Sequence, residues 1–581
     1  MEAIIKKLRS HIVPALFLAC GLIFLLEALF LAYNKFFTID EFQYAHAAWL
    51  CSQGLVPYRD FFDHHFPFLY QLFSVFFVFA GNNPLAILLL RQGMIFFLLL
   101  TLFSVYVMNH RFSRYNNLSS ILAVVFLVLC WPFITRAIEI RPDGLAFALF
   151  ISSLAMLYYS SNRINIPSLR KGLLPFLAGI AFALAIWSSQ KVLVYSFPIA
   201  LFFLFDLFKY YRPTAIKSFL TGKPYFFLAG VLFIVFMVTI FLLATSSMKP
   251  CWEWCILWPM EMQKNFCGFS WMKHFLPGAS LYLWSIPLFL TGWAASINKL
   301  SRNFKLMELF LLTLPITTFW SFFIQQAPYD YSLIPFYGMF CLYAGRGGGV
   351  IIDFFSQSSK LPKLVRNTVL AIFTLVLVVS VLGNIRIFER FREDSNQYQL
   401  NVLRQIEELT EENEVFFDNT GNFIARPHAY FFYFNCKYMR ENMKVQYEKE
   451  IPKSIIENEC TWLFYDYRMT ELPIEVRKFL VNNFVRYSPD LYVWGKEFKA
   501  GKITGQFYAV KDGKYFIYPE GIIEDKSVEV NSKPLHASTF ELKKGTYNLN
   551  YNVRKDFYII YMPRNQRVFK PQKTGQSTFV R

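Results

Sequence analysis

Over the first two thirds of this chain, apolar residues come in blocks of about twenty separated by short polar stretches. They show neither the 3.6-residue period of a surface helix nor the alternation of a strand. A helix needs about 20 residues to cross about 30 Å of hydrocarbon, so each block predicts a membrane span. Blocks begin near residues 11, 84, 118, 145, 173, 192, 225, 276, 307, 331 and 367, which predicts about eleven spans. The first, near residues 11–33, is too long for a signal-peptide core and lacks a small-residue cleavage site, and it is read as a retained anchor. "FPFLYQLFSVFFVFAG", residues 66–81, is apolar but short for a span and is read as an interfacial helix.

The pattern changes after "LGNIRIFERFRED", where charge density rises. "NQYQLNVLRQIEELTEEN" and "PIEVRKFLVNNF" predict amphipathic helices, and "NEVFFDN" and "CTWLFYDYR" predict buried strands. Residues 390–500 therefore read as an α/β region following a membrane part at residues 1–389. From residue 501 short strands and turns take over, with Asp512-Gly513 as a hairpin signal, so residues 501–581 read as a small antiparallel sandwich. The expected fold class is a polytopic α-helical membrane protein with a C-terminal soluble α/β and β-sandwich-like domain.

Composition agrees with that reading. Of 581 residues, 55% are hydrophobic and 67 are Phe, more than one soluble core uses. The net charge of +18 suggests nucleic acid only until the cations are placed. Lys6, Lys7 and Arg9 precede the first block, and further clusters occupy every second loop. These are Arg111 and Arg114; Arg163, Arg170 and Lys171; Lys209, Arg212, Lys217 and Lys223; Lys299, Arg302 and Lys305; and Arg346, Lys360, Lys363 and Arg366. The positive-inside rule then puts the N-terminus in the cytoplasm and residues 39–68 and the C-terminal domain outside, as expected for a bacterial inner-membrane protein. Cys251, Cys255 and Cys267 share one outer loop, and Cys436 and Cys460 share the outer domain, which leaves disulfides open there. No C-x-x-C or H-x-x-x-H spacing points to zinc.

Candidate chemistry gathers in "IDEFQYAHAAWLCSQGLVPYRDFFDHHFPF", residues 39–68. Capping accounts for part of it: Thr38-x-x-Glu41 is a capping box, Asp40 is an acid in the first helical turn, and Gly54 is a left-handed cap. Capping does not account for the polar "VPYRDFFDHH". The order of "DE", "YA", "GLVPYRD" and a final "FPF" resembles the first outer loop of GT-C glycosyltransferases of the protein O-mannosyltransferase and lipid A aminoarabinose transferase kind. "EIRPDGLAFALF", residues 139–150, is similar to the second outer loop of bacterial members, and "PYDYSLIPFYGMF" to a late span that opens on tyrosines. Phe66 stands where the family pattern has a first proline, a departure that touches loop shape.

Such enzymes move a sugar from a polyprenyl phosphate to an extracytoplasmic glycan, lipid or protein, and the resemblance implies that activity, with inversion, for this chain. An acceptor hydroxyl is a poor nucleophile until its proton is taken, and Asp40 is the implied base, with Glu41 and Asp143 completing the catalytic set. Arg141, Lys191 and Arg91 are the candidate phosphate ligands, since a charge at a span is a functional hypothesis by default. The bland alternatives are snorkelling by Arg91 and Lys191 and an Arg141–Asp143 pair. Tyr58, Asp60, Asp63, His64, His65, Tyr329 and Tyr331 are candidate acceptor or sugar contacts. Adjacent histidines are expected to point apart, so no metal site is assigned, and no cofactor or divalent metal is expected to be essential. The competing readings are a transporter or flippase for a polyprenyl-linked lipid, and a glycan polymerase or ligase. In the outer domain Asp418, Asp466 and Glu524 show no paired arrangement, "DNTGNFIARPHAYFF" reads as a membrane-facing loop, and Tyr508, Tyr515 and Tyr518 read as exposed-looking rings suited to a sugar face, with core packing expected for at least half of them.

Overall fold

The structure, a computed structural model, describes residues 2–110, 117–162, 168–198, 201, 222–265, 285–302, 306–325, 329–357, 362–523, 528–564 and 579. The start of the block near residue 276, most of the block near 192, the cations Arg111, Arg114, Arg163, Lys209, Arg212, Lys217, Lys305 and Lys360, and Cys267 and Glu524 lie outside the described residues. The chain divides into two compact units, one of Met1–Lys35, His64–Leu69 and Leu90–Ser395, the other of Phe36–Asp63, Tyr70–Leu89 and Asn396–Arg581.

The first unit is built of helices laid on the apolar blocks, among them Glu2–Asn34, Pro142–Asn162, Ser168–Ser188, Lys223–Ala244, Ile286–Arg302, Leu306–Ile324, Ile334–Gln357 and Lys363–Glu393. Among the described residues, Pro84–Asn109, Pro142–Ser160, Lys223–Ala244 and Met307–Ile324 are long and apolar enough to cross a membrane. Leu118–Leu129 and Trp131–Ala137, bent by 73°, make a fifth if taken as one span. Two crossings depend on glycine. A Cβ on Gly179 would stand 2.0 Å from the Phe227 carbonyl oxygen, and one on Gly292 2.0 Å from that of Tyr343. Backbones packed this closely gain dispersion and short polar contacts, the terms that hold helices together when the surroundings are as apolar as the side chains.

The helices break where polar residues cluster. Pro132 lies in the first turn of Trp131–Ala137, a turn over 138–141 follows, and Pro142 opens the next helix at a position where a missing N–H costs nothing. Ser189 and Gln190 separate Ser168–Ser188 from Lys191–Tyr195, and a 3-10 turn, Asp330–Leu333, leads into Ile334–Gln357.

In the second unit the strands form two sheets. The larger runs in the order Phe416–Phe417, Trp462–Phe464, Leu491–Phe498, Phe557–Tyr561, Gly513–Tyr518, Thr539–Leu542, with Phe484–Arg486 also paired to Leu491–Phe498. The α/β and β-rich stretches thus share one sheet. The smaller runs Gly501–Ala509, Gly545–Val553, Val528–Val530, Lys533–Pro534. Phe507 against Tyr515 and Phe498 against Tyr551, with ring centroids 5.5 and 5.7 Å apart, join the two layers. The helix Phe68–Ala80, the expected interfacial segment, has 13 residues; at 1.5 Å per residue it is about 20 Å long, short of the hydrocarbon core.

Several expectations are corrected here. Asp512-Gly513 closes no hairpin: Gly501–Ala509 pairs with Gly545–Val553 in one sheet, and Gly513–Tyr518 with Phe557–Tyr561 and Thr539–Leu542 in the other. Phe507 and Tyr515 are both inward-facing and buried, and the chain places them on opposite walls of one core. Tyr515 is therefore no exposed platform; its hydroxyl donates to the Lys511 carbonyl at 2.8 Å, and Tyr508 and Tyr518 are half-buried. Residues 418–426 are buried throughout and are core, not a membrane-facing loop. The Asp418 carboxylate makes this possible by accepting the backbone N–H groups of Thr420, Gly421 and Asn422 at 3.1, 2.8 and 2.5 Å. The acids are not scattered either, because Asp466 accepts from the Thr420 hydroxyl of the same loop at 3.3 Å. The eight described cysteines, Cys251, Cys255, Cys436 and Cys460 among them, are free thiols.

Candidate active site

In the first unit the helix breaks bring charge together around Glu139. This carboxylate is fully buried, and Lys35, Arg136 and Arg141 converge on it. Arg136 Nη1 donates to both oxygens at 2.8 and 3.0 Å, Arg141 Nε donates to Oε2 at 2.7 Å, and the Lys35 ammonium lies in very short contact with Oε1. Burial works to raise the Glu139 carboxyl, but Arg136, Lys35 and Arg141 outweigh it and hold the group below the usual carboxylate range. Arg136 also donates from Nη2 and Nε to Asp330 Oδ2 at 2.8 and 3.0 Å.

A second pair stands on the adjoining elements. Lys191 Nζ donates to Asp143 Oδ1 at 2.9 Å and to the Ser332 hydroxyl at 3.2 Å, and Ser332 in turn donates to Gln325 Oε1 at 3.0 Å. Asp143 sits in the first turn of its helix, where the dipole favours an acid. The Tyr331 ring links the two groups, with the Arg141 guanidinium carbon 4.2 Å and Lys191 Nζ 4.6 Å from its centroid. Tyr329 stacks on Tyr331 at 5.4 Å. Four cations (Lys35, Arg136, Arg141, Lys191) thus meet three carboxylates (Glu139, Asp143, Asp330) in one network. The Lys191 and Arg136 side chains, at 29% and 26% exposure, form the open side of the cluster.

This geometry sets aside the alternative Arg141–Asp143 pair: Arg141 goes to Glu139, and Lys191 takes Asp143. Arg91 is buried with Nη1 donating to the Lys35 and Ala32 carbonyls at 2.6 and 3.3 Å, so it closes the end of the first helix. His64 and His65 do not point apart; their ring centroids lie 3.9 Å from each other, with Trp258 5.3 Å from His64. Their backbone carbonyls accept from Gln190 Nε2 at 3.1 Å and from the Cys255 thiol at 3.4 Å.

The remaining residues belong to the second unit. Asp40 lies half-buried in the first turn of the helix Ile39–Ser52. Glu41 is fully buried and its Oε2 accepts the Thr38 N–H at 2.9 Å, the return arm of the capping box. Tyr58 holds a left-handed φ of 71° and places its hydroxyl 3.2 Å from that of Tyr70. Asp60 accepts the Val56 N–H at 2.7 Å and is paired with Arg59, which holds its carboxyl below the ordinary value. Asp63 is buried, accepting from Gln43 Nε2 at 3.1 Å and from the Tyr433 hydroxyl at 3.3 Å.

Sequence reasoning gave no role to Glu139, Lys35, Arg136, Asp330 or Ser332. A signal was present: Arg136, Glu139, Arg141 and Asp143 crowd eight residues between two apolar blocks. Lys35 and Asp330 gave none, because their partners lie 104 and 194 residues away.

No family model matches the chain, and no curated protein matches it significantly in sequence. Solved structures do match in fold. The oligosaccharyltransferase AglB from Archaeoglobus fulgidus, solved in complex with an inhibitory peptide and a dolichol-phosphate, is 12% identical over 84% of this chain and 74% of its own, with a TM-score of 0.50. ArnT from Cupriavidus metallidurans, solved bound to undecaprenyl phosphate, is 12% identical over 82% of this chain and 97% of its own, with a TM-score of 0.53. With the apolar helices and the C-terminal sheets described above, these likenesses show that the chain has a GT-C-like fold.

Proposed function

We propose that this protein is an integral membrane glycosyltransferase that moves a sugar from a polyprenyl-phosphate donor to an extracytoplasmic acceptor with inversion at the anomeric carbon. The observation that carries the reading is the convergence of Arg136, Arg141 and Lys191 on Glu139, Asp143 and the Tyr331 ring at the interrupted ends of apolar helices. Buried charge is expensive, and cations held together at helix breaks are suited to receive an anion. The two solved structures of like fold that hold a lipid phosphate favour a phosphate as that anion.

In the proposed reaction the acceptor oxygen attacks the anomeric carbon on the face opposite the phosphate. The carbon–oxygen bond to phosphate breaks with its electron pair going to the phosphate oxygen, and Asp40 takes the hydroxyl proton. Arg141 and Lys191 meet the charge that grows on the phosphate, as preorganised donors do for a developing oxyanion. Glu139 and Asp143 aim these cations, Glu41 fixes the turn that carries Asp40, and Arg91 anchors the first helix end. Tyr58, Asp60, Asp63, His64, His65, Tyr329 and Tyr331 are the candidate acceptor and sugar contacts of this reading. No divalent metal is assigned a step, so a chelator is expected to leave transfer intact. The N-terminus is proposed to be cytoplasmic and the second unit to lie outside.

The test is transfer of labelled sugar from a synthetic polyprenyl-phosphate donor by the full chain in lipid nanodiscs, read as lipid phosphate released. Donor flipping without release of lipid phosphate would identify a transporter instead.

A further inference from the structure

Within the second unit lies a cavity of about 590 Å³, inside the range of about 300–1,000 Å³ in which small-molecule sites fall. Its apolar lining is rich in aromatic rings, with Trp49, Phe61, Phe431 and Tyr433 beside the aliphatic Leu50 and Leu55. Trp49 and Phe61 are buried, and Phe431 is half-buried.

The polar lining is held in place before any ligand arrives. Trp49 Nε1 donates to Asn82 Oδ1 at 2.8 Å, and Asn82 Nδ2 donates to Glu412 Oε2 at 2.8 Å, so indole, amide and carboxylate form one fixed chain. Asn458 is held through Nδ2 to the Ala429 carbonyl at 2.8 Å, which leaves its own carbonyl as an acceptor. Asp60 is already charge-balanced by Arg59 at 2.7 Å and does not call for a cationic ligand. No lysine or arginine occurs among the described residues of the lining, which carries Asp60 and Glu412 beside His428, so it is poorly suited to a phosphate. Amides, carboxylates with spare lone pairs and aromatic faces suit a molecule whose polar groups both donate and accept and whose C–H faces are flat and apolar. That is a pyranose.

We propose that this cavity binds a neutral saccharide, one or two rings of a glycan. The inference shares Asp60 with the acceptor reading above and rests on it there alone.

The experiment is titration calorimetry of the full chain in nanodiscs with three probes: maltotriose, chitotriose and mannotriose. At least one is expected to bind in the millimolar range or better, with glucose 6-phosphate failing to compete. Phe431→Ala should weaken that binding about tenfold, the scale of one lost stacking contact. Gln53→Ala, at an exposed lining position whose side chain makes only long bonds, 3.3 Å to Ser52 Oγ and 3.4 Å to Asn82 Oδ1, should weaken it severalfold with the unfolding temperature changed little. Asp40→Asn should bind as the parent does, so a failed transfer assay and a failed saccharide site are told apart. No binding by any of the three, binding indifferent to both lining substitutions, or tighter binding of glucose 6-phosphate or of a lysine-rich peptide would each overturn the proposal.

Discussion

The two units handle buried charge in opposite ways. In the first, Glu139 is kept ionised by surrounding it with Arg136, Lys35 and Arg141. In the second, several buried ionisable groups are pushed toward neutrality: burial raises Glu414 to about 7 and Asp466 to about 6, and lowers His46 to about 4. Neutralising a buried group is the cheaper solution where only shape is needed. Holding charges ionised and mutually paired costs desolvation of each, a cost consistent with the function proposed for the first unit's cluster.

The sharpest way to break this contrast is Glu139→Gln. It leaves Lys35, Arg136 and Arg141 without their shared carboxylate, and stripping one partner from a buried ion cluster costs about 3–5 kcal/mol. The first unit's unfolding temperature should fall steeply, whereas a neutral reading of Glu139 predicts little change. Asp40→Asn tests a half-buried carboxylate of the second unit. Transfer should drop by about 10²-fold or more with unfolding unchanged, since an amide cannot act as a base. Early unfolding with normal activity in the surviving protein would mean that Asp40 is a cap and nothing more.

Lys191→Met removes the most exposed cation of the cluster. Donor affinity should weaken by about 1.5–3 kcal/mol with acceptor affinity preserved, as for a charge-assisted hydrogen bond. Equal donor affinity in mutant and parent would take Lys191 out of the site. Tyr331→Leu removes the ring under Arg141 and Lys191 and should cost about 0.5–2 kcal/mol in donor binding, the range of a cation–π contact.

The smallest effect concerns pH and the second unit. Glu414 and Asp466 hold protons in the folded state that the unfolded chain has already released. Their contribution to stability is complete below the ordinary carboxylate range and is lost as pH rises through about 6 to 7. His46 works the other way, contributing above its ordinary value of 6.5 and losing that contribution as pH falls toward about 4. Glu414→Gln keeps an acceptor for Trp462 Nε1, now at 2.8 Å from Glu414 Oε2, and should flatten the fall in stability between pH 5 and about 7. Hydrogen exchange across Phe416–Phe417 and Trp462–Phe464 measures this, and an unaltered pH slope would count against a neutral Glu414.

Read alone, the sequence determined what depends on neighbours a few residues apart. The apolar blocks announced the helices, the 397–409 and 474–483 amphipathic segments announced theirs, and Thr38 and Glu41 announced a capping box that the structure forms. The loop motifs also pointed to the GT-C-like fold. Tertiary structure decided what depends on which distant segments meet. It gave Arg141 to Glu139 and Asp143 to Lys191, set Tyr331 beneath both cations, and sent the strands flanking Asp512 into different sheets. An Asp-Gly turn encodes a change of direction but not the partner strand, and an arginine encodes a charge but not the carboxylate that will face it. Those pairings are set by how the helix breaks and sheet layers stack, over separations at which local spacing carries no information.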